Sequence, residues 1–111
     1  MSTTNRMRPV HPGEILGGEL HEIGLSANAL AKALAVPTNR ITAILNGQRG
    51  VTADTALRLS RYFGTTPQFW LNLQKTFELR VAEMRSGPDI DKRVQPRATS
   101  PAAGVHPPLA P

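Results

Sequence analysis

Ser26-Ala-Asn-Ala-Leu-Ala-Lys-Ala-Leu-Ala35, followed by Val36-Pro-Thr-Asn-Arg-Ile-Thr-Ala-Ile-Leu-Asn-Gly47, has the pattern of two short helices about a tight turn. Ser26 can cap a helix over Ala27 to Leu34. After the Ala35-Val36-Pro37 break, Thr38 is expected to cap a second helix running to Asn46, which Gly47 ends in the left-handed conformation. Two helices of about eight residues joined by a tight turn make a helix-turn-helix pattern. Ala31 is small where the two must approach closely, and Leu30, Leu34, Ile41 and Ile44 occupy the packing positions. An ordinary helical hairpin in a small bundle shares that much. The outward positions of the second helix favour a DNA reader, because Thr38, Asn39, Arg40, Thr42, Ala43 and Asn46 are short or polar.

Side-chain chemistry assigns these positions roles. Asn pairs bidentately with adenine, Arg with guanine, and Ala or a Thr methyl touches thymine. Base reading is therefore expected of Thr38, Asn39, Arg40, Thr42 and Ala43. Phosphate contact is expected of Asn28, Asn46, Gln48 and Arg49, which flank the reading positions.

Outward from this centre the punctuation stays helical. His11-Pro12 opens a first helix, striped by Ile15, Leu16, Glu19, Leu20 and Ile23 and closed by Gly24. Thr52 caps a fourth, with Asp54 near its positive end and Gly64 beyond Phe63. Thr66-Pro67 opens a longer fifth, expected to run to about Met84. No window alternates as a strand does, so the expected class is all-α, a compact five-helix domain. Three zones follow: a flexible arm over residues 1–11, the domain over 12–85, and a tail over 86–111 expected to be disordered. That tail holds six of the ten prolines and too few bulky apolar side chains to offset its ordering entropy.

A chain of 111 residues has room for one domain, and with 5% aromatic residues its core must be mostly aliphatic. The absence of cysteine excludes disulfides, thiolate catalysis and Cys-ligated metals. The longest apolar run, Ala33 to Val36, is far short of the roughly 20 residues that a membrane helix needs. With no signal-like segment either, a soluble cytoplasmic protein without membrane contact is expected. The net charge of +5 is sorted along the chain: Thr38 to Gly64 carries four Arg against one acid, Asp54, whereas the first helix carries Glu14, Glu19 and Glu22 with no Lys or Arg. A basic face of this kind suits nucleic acid.

Trp70, Leu73, Phe77, Arg80 and Met84 recur at spacings of three and four in the fifth helix. Trp70 and Leu73 fit either the core of the monomer or a dimer seam. Phe77, Val81 and Met84 fit the seam better, because little core remains to cover them. Trp70, Leu73, Phe77, Val81 and Met84 are thus the candidate dimer residues, and a homodimer would set two reading helices about 34 to 36 Å apart, one turn of DNA.

No catalytic arrangement is present. His21-Glu22 begins like a zinc-protease helix, but Leu25 stands where the second His belongs. His11, His21 and His106 are scattered, and no nucleophile elbow, Walker loop or dinucleotide fingerprint occurs. No enzyme, cofactor or metal site is expected. Glu14, Glu19 and Glu22 read as a solvated face or, alternatively, as a contact for a basic protein partner.

The run from Leu30-Ala31-Lys32 to Ile44-Leu45-Asn46-Gly47 resembles the XRE (Cro/CI-type, lambda-repressor-like) helix-turn-helix. The segments His11-Pro12-Gly13-Glu14-Ile15-Leu16, Leu45-Asn46-Gly47-Gln48-Arg49-Gly50, Ala56-Leu57-Arg58-Leu59 and Gly64-Thr65-Thr66-Pro67-Gln68-Phe69-Trp70-Leu71-Asn72-Leu73-Gln74 together resemble HigA-type antitoxins of type II toxin-antitoxin modules. The resemblance covers about Met7 to Met84, and the Pro-rich extension after Ser86 departs from it. It implies an autorepressor that binds a palindromic operator in double-stranded DNA as a dimer and neutralises a HigB-type, RelE-like ribonuclease toxin. Two other readings fit the sequence: an orphan XRE repressor without a toxin, and a helical interaction module that does not bind DNA.

Overall fold

His11 ends the arm and starts the first helix in one step. Its Nδ1 accepts the Gly13 N–H at 2.9 Å while the Glu14 carboxylate accepts the His11 N–H at 3.3 Å, a reciprocal cap that satisfies donors the helix itself leaves open. The computed structural model describes residues 8–98, and there five helices are seen and no strand. They are α1 (Pro12–Ile23), α2 (Ala27–Leu34), α3 (Thr38–Leu45), α4 (Ala53–Phe63) and α5 (Pro67–Arg93). Among the described residues no helix is long and apolar enough to cross a membrane, and no cluster of His, Asp or Glu could hold a metal ion.

Most helix ends follow the expected chemistry. Ser26, Thr52 and Thr66 each accept a backbone N–H at the start of α2, α4 and α5, and Gly24, Gly47 and Gly64 take positive φ just after α1, α3 and α4. The start of α3 is a correction. Pro37 occupies the cap position with no side-chain bond, and Thr38 lies inside the helix, its hydroxyl donating instead to Asn28 Oδ1 at 2.8 Å. A proline already fixes the extended cap conformation, which leaves the threonine free to tie α3 to the start of α2.

The turn between α2 and α3 contains the one non-glycine residue with positive φ among those described, Ala35, at φ 60° and ψ 46°. A methyl in that conformation costs roughly 1 to 2 kcal/mol. Ala35→Gly should therefore raise stability by about 0.5 to 1 kcal/mol, after allowing for the greater freedom of Gly in the unfolded chain. Urea unfolding checks this, and a midpoint at or below that of the parent chain would refute it.

The core joins all five helices through Leu16, Leu20, Leu30, Ala31, Leu34, Ile41, Ile44, Val51, Ala56, Leu59 and Trp70. α2 packs on α3, α1 lies against α3 and α5, and α4 lies against α2 and α5. Ala31 is 1% exposed, as the close approach of the two central helices demands. Trp70 requires a second correction. It is 2% exposed, and its indole N–H donates to the Thr65 hydroxyl at 2.8 Å, so it belongs to the monomer core and is withdrawn from the dimer seam. Leu73, Phe77 and Val81 are half-buried and Met84 is exposed.

The last helix also outruns its expected end near Met84, so residues 86–93 are helical rather than tail. Gly87 and Pro88 lie within it. Pro88 removes one N–H from the ladder, but the helix continues on the solvent side, supported by the Asp89–Arg93 ion pair at 3.0 Å and by Lys92 and Arg93 at its negative end. Composition is a poor guide to so exposed a helix end, where no burial is needed. Residues 94–98 follow outside the helix, while residues 99–111 of the expected tail and residues 1–7 of the expected arm lie outside the described residues.

Candidate nucleic-acid interface

α3 turns two different faces to its surroundings. Ile41 and Ile44 are fully buried, whereas Asn39 and Asn46 are exposed and Thr38, Thr42 and Ala43 are half-buried between them. Leu45, the remaining apolar side chain of α3, is half-buried against the core. The chain then wraps the C-terminus of the helix: Gly47 N–H donates to Ile44 O at 3.0 Å, and Gln48 and Arg49 N–H both donate to Ala43 O at 2.8 and 3.2 Å. Satisfying those last carbonyls presents Gln48 and Arg49, both exposed, beside Asn46. Asn28, at the start of α2, is joined to the start of α3 through Thr38.

Arg40 behaves differently. Its Nη1 lies 2.6 Å from Asp54 Oδ2, and the same oxygen accepts from Arg58 Nε at 2.9 Å. The Arg58 and Arg40 guanidiniums, in that order, hold the Asp54 carboxyl below the usual carboxylate range. Arg58 reaches further, donating to Leu34 O at 2.8 Å and Ala35 O at 3.2 Å, and so fastens the open end of α2 to α4. Arg40, expected to read a base, is half-buried and paired with Asp54 within the fold. The i,i+4 spacing of Asp54 and Arg58 was visible in the sequence. The bond from Arg40 across 14 residues was not.

The acids of α1 divide. The Glu14 carboxylate takes both Arg8 guanidinium nitrogens at 3.1 Å, which pulls its carboxyl below the usual range, so it stabilises the start of the helix. Glu19 and Glu22 remain exposed. His11 is 8% exposed, its ring meeting Phe77 of α5 edge-on at 4.8 Å. Burial pushes its pKa down, which keeps Nδ1 free to accept from Gly13.

Residue by residue, this arrangement can present amides, hydroxyls and methyls to the edges of bases, with the Arg49 cation at its border. Comparison with known proteins agrees with the geometry. Residues 20–70 match the Helix-turn-helix family model. The chain is 59% identical to Virulence-associated protein I of Dichelobacter nodosus over 80 residues, which is 71% of this chain and 74% of that protein. Its fold is similar to that of an addiction module antidote protein of the HigA family from Coxiella burnetii, with a TM-score of 0.79 and 61% identity over 80% of this chain and 98% of the other. It is also similar to the Pseudomonas aeruginosa antitoxin HigA solved with the higBA promoter, with a TM-score of 0.79 and 46% identity over 81% of this chain and 99% of the other.

Proposed function

The chain belongs to the HigA-type branch of the XRE helix-turn-helix family, and from that premise we propose that it is a DNA-binding antitoxin that represses its own operon and neutralises a RelE-like ribonuclease of the HigB type. The observation that carries this reading is the outer face of α3, where every side chain is small or polar and the Gln48-Arg49 loop borders it. In the Pseudomonas aeruginosa HigA structure a relative of the same fold meets promoter DNA, which supports the same use here. Asn39, Thr42 and Ala43 read bases, with Thr38 at the edge of the face, while Asn28, Asn46, Gln48 and Arg49 hold phosphates. Arg40 supports the reading helix through Asp54 instead of reading a base itself.

Operator binding by a dimer needs a second copy on α5. The face of Phe69, Leu73, Thr76 and Arg80, with Val10 beside it, forms a shallow groove in which Val10 is 39% and Phe69 42% exposed. A twofold partner laid there continues into Val81 and Met84. Glu19 and Glu22 are the acids of α1 left to meet a basic toxin.

A gel shift on the chain's own promoter, paired with a pull-down that asks whether a small basic protein co-purifies, tests the proposal. Asn39→Ala should cost about 1 to 3 kcal/mol on the operator and little on random duplex. Arg49→Ala should weaken both alike and reduce the slope of log affinity against log salt by about 0.9. Unchanged binding in both variants would remove α3 as the reading helix.

A further inference from the structure

Where the loop after α3 turns into α4, it is held by a residue of the last helix. The Val51 N–H donates to the Gln74 side-chain oxygen at 2.8 Å, a partly buried bond spanning 23 positions. The amide lies so close to Gly50 that a Cβ there would fall 2.7 Å from both its oxygen and its nitrogen. Gln74 is itself held from behind, its nitrogen donating to Glu78 Oε2 at 2.9 Å, with Lys75 3.4 Å from the other oxygen of that carboxylate. On the near side Val51 is 4% exposed and Thr52 caps α4. Between the Ala43 carbonyl, which takes the Gln48 and Arg49 N–H groups, and the Gln74 amide, which takes that of Val51, the backbone on both sides of Arg49 is fixed.

From this we infer that Gln74 is a positioning residue for DNA binding: it sets the loop that carries Arg49 and Gly50 and ties its placement to α5. The inference rests on the DNA-binding reading above. It assigns Gln74 no contact with DNA. Its neighbour Leu73 lies on the proposed dimer face, so the same turn of α5 that would feel a second copy also holds the phosphate-contacting loop. Pairing of the two copies and grip on the backbone are then mechanically linked, because a shift of α5 along its axis moves the acceptor for Val51 N–H.

The test is a double-mutant cycle on the full chain, using Gln74→Met, which keeps length and removes the acceptor, with Arg49→Ala. Affinity is read by fluorescence anisotropy on operator and random duplexes over a salt series. Gln74→Met should weaken both duplexes about tenfold and reduce the salt slope by about 0.9, the value for one lost phosphate contact. In the Arg49→Ala background it should add less than about twofold, since the two residues act through one contact. Hydrogen exchange at the Val51 amide should rise. Gly50→Ala displaces the Gln74 amide from the other side and should reproduce the loss, which keeps the test decisive if Gln74→Met folds poorly. Effects that add fully in the double mutant, or wild-type affinity in both Gln74→Met and Gly50→Ala, would overturn the inference while leaving DNA binding intact. A wild-type chain that binds no duplex would overturn both readings.

Discussion

Gly13→Ala is expected to destabilise the domain by about 3 kcal/mol, although the same substitution in an open helix would stabilise it. Gly13 lies in the first turn of α1, where a Cβ would fall 2.0 Å from the Ile44 carbonyl oxygen and 2.9 Å from its carbon. Both are backbone atoms of α3, so no side chain can rotate away, and relief requires α1 to move off α3. That carbonyl also accepts the Gly47 N–H at 3.0 Å, which closes α3 and launches the Gln48-Arg49 loop. Loss of stability should thus be accompanied by weaker operator binding even at temperatures where the variant stays folded. Gly18→Ala supplies the internal control. It lies in the same helix, exposed, with nothing within 4 Å of its added Cβ, and should stabilise by about 0.5 to 1 kcal/mol. Denaturant unfolding of the two variants gives opposite signs if close packing governs Gly13, and a Gly13→Ala variant within about 0.5 kcal/mol of the parent would refute the account.

That glycine marks the limit of what could be read from residues alone. Helix ends are governed by neighbours in sequence, and the caps at Ser26, Thr52 and Thr66 and the left-handed glycines 24, 47 and 64 lie where local chemistry requires them. The outer face of α3 was equally legible, since its buried side is set by the spacing of Ile41 and Ile44. Interactions between distant segments were not. Nothing local distinguishes Gly13 from Gly17 or Gly18, links Arg40 to Asp54, or brings Gln74 beneath Val51. Each depends on how α1, α4 and α5 pack around the central pair. Thr38 shows the same limit in reverse, because a residue type that favours caps was outcompeted by the proline before it. The recurrence of apolar residues in α5 identifies the side that is covered, but the identical spacing serves a monomer core and a partner helix.

Trp70 separates those two meanings, and Trp70→Ala should cost about 3 to 5 kcal/mol. The ring is 2% exposed and lies between Phe63, at 6.0 Å centroid to centroid, and Phe69, at 5.1 Å and nearly perpendicular. Truncation would open a cavity where α4 and α5 meet and leave the Thr65 hydroxyl without the indole N–H that it accepts. A folded unit of this size is worth about 5 to 10 kcal/mol in total, so the variant should be largely or partly unfolded at 37 °C. Were Trp70 instead a seam residue, the same substitution would leave a folded chain that had merely lost its partner. The two outcomes are distinguishable at low temperature in one set of measurements. Core packing predicts a large fall in the far-UV dichroism midpoint, with sedimentation mass following the loss of structure; a seam predicts an unchanged midpoint extrapolated to low concentration and a monomeric mass. Met84→Asp on the exposed side of the same helix should give the second pattern, a folded monomer with weakened operator binding. Trp70→Phe, which keeps most of the ring volume, should fall between parent and alanine variant, with a loss of about 1 to 2 kcal/mol set by one hydrogen bond and a small void. A Trp70→Ala chain as stable as the parent would return the residue to the dimer face.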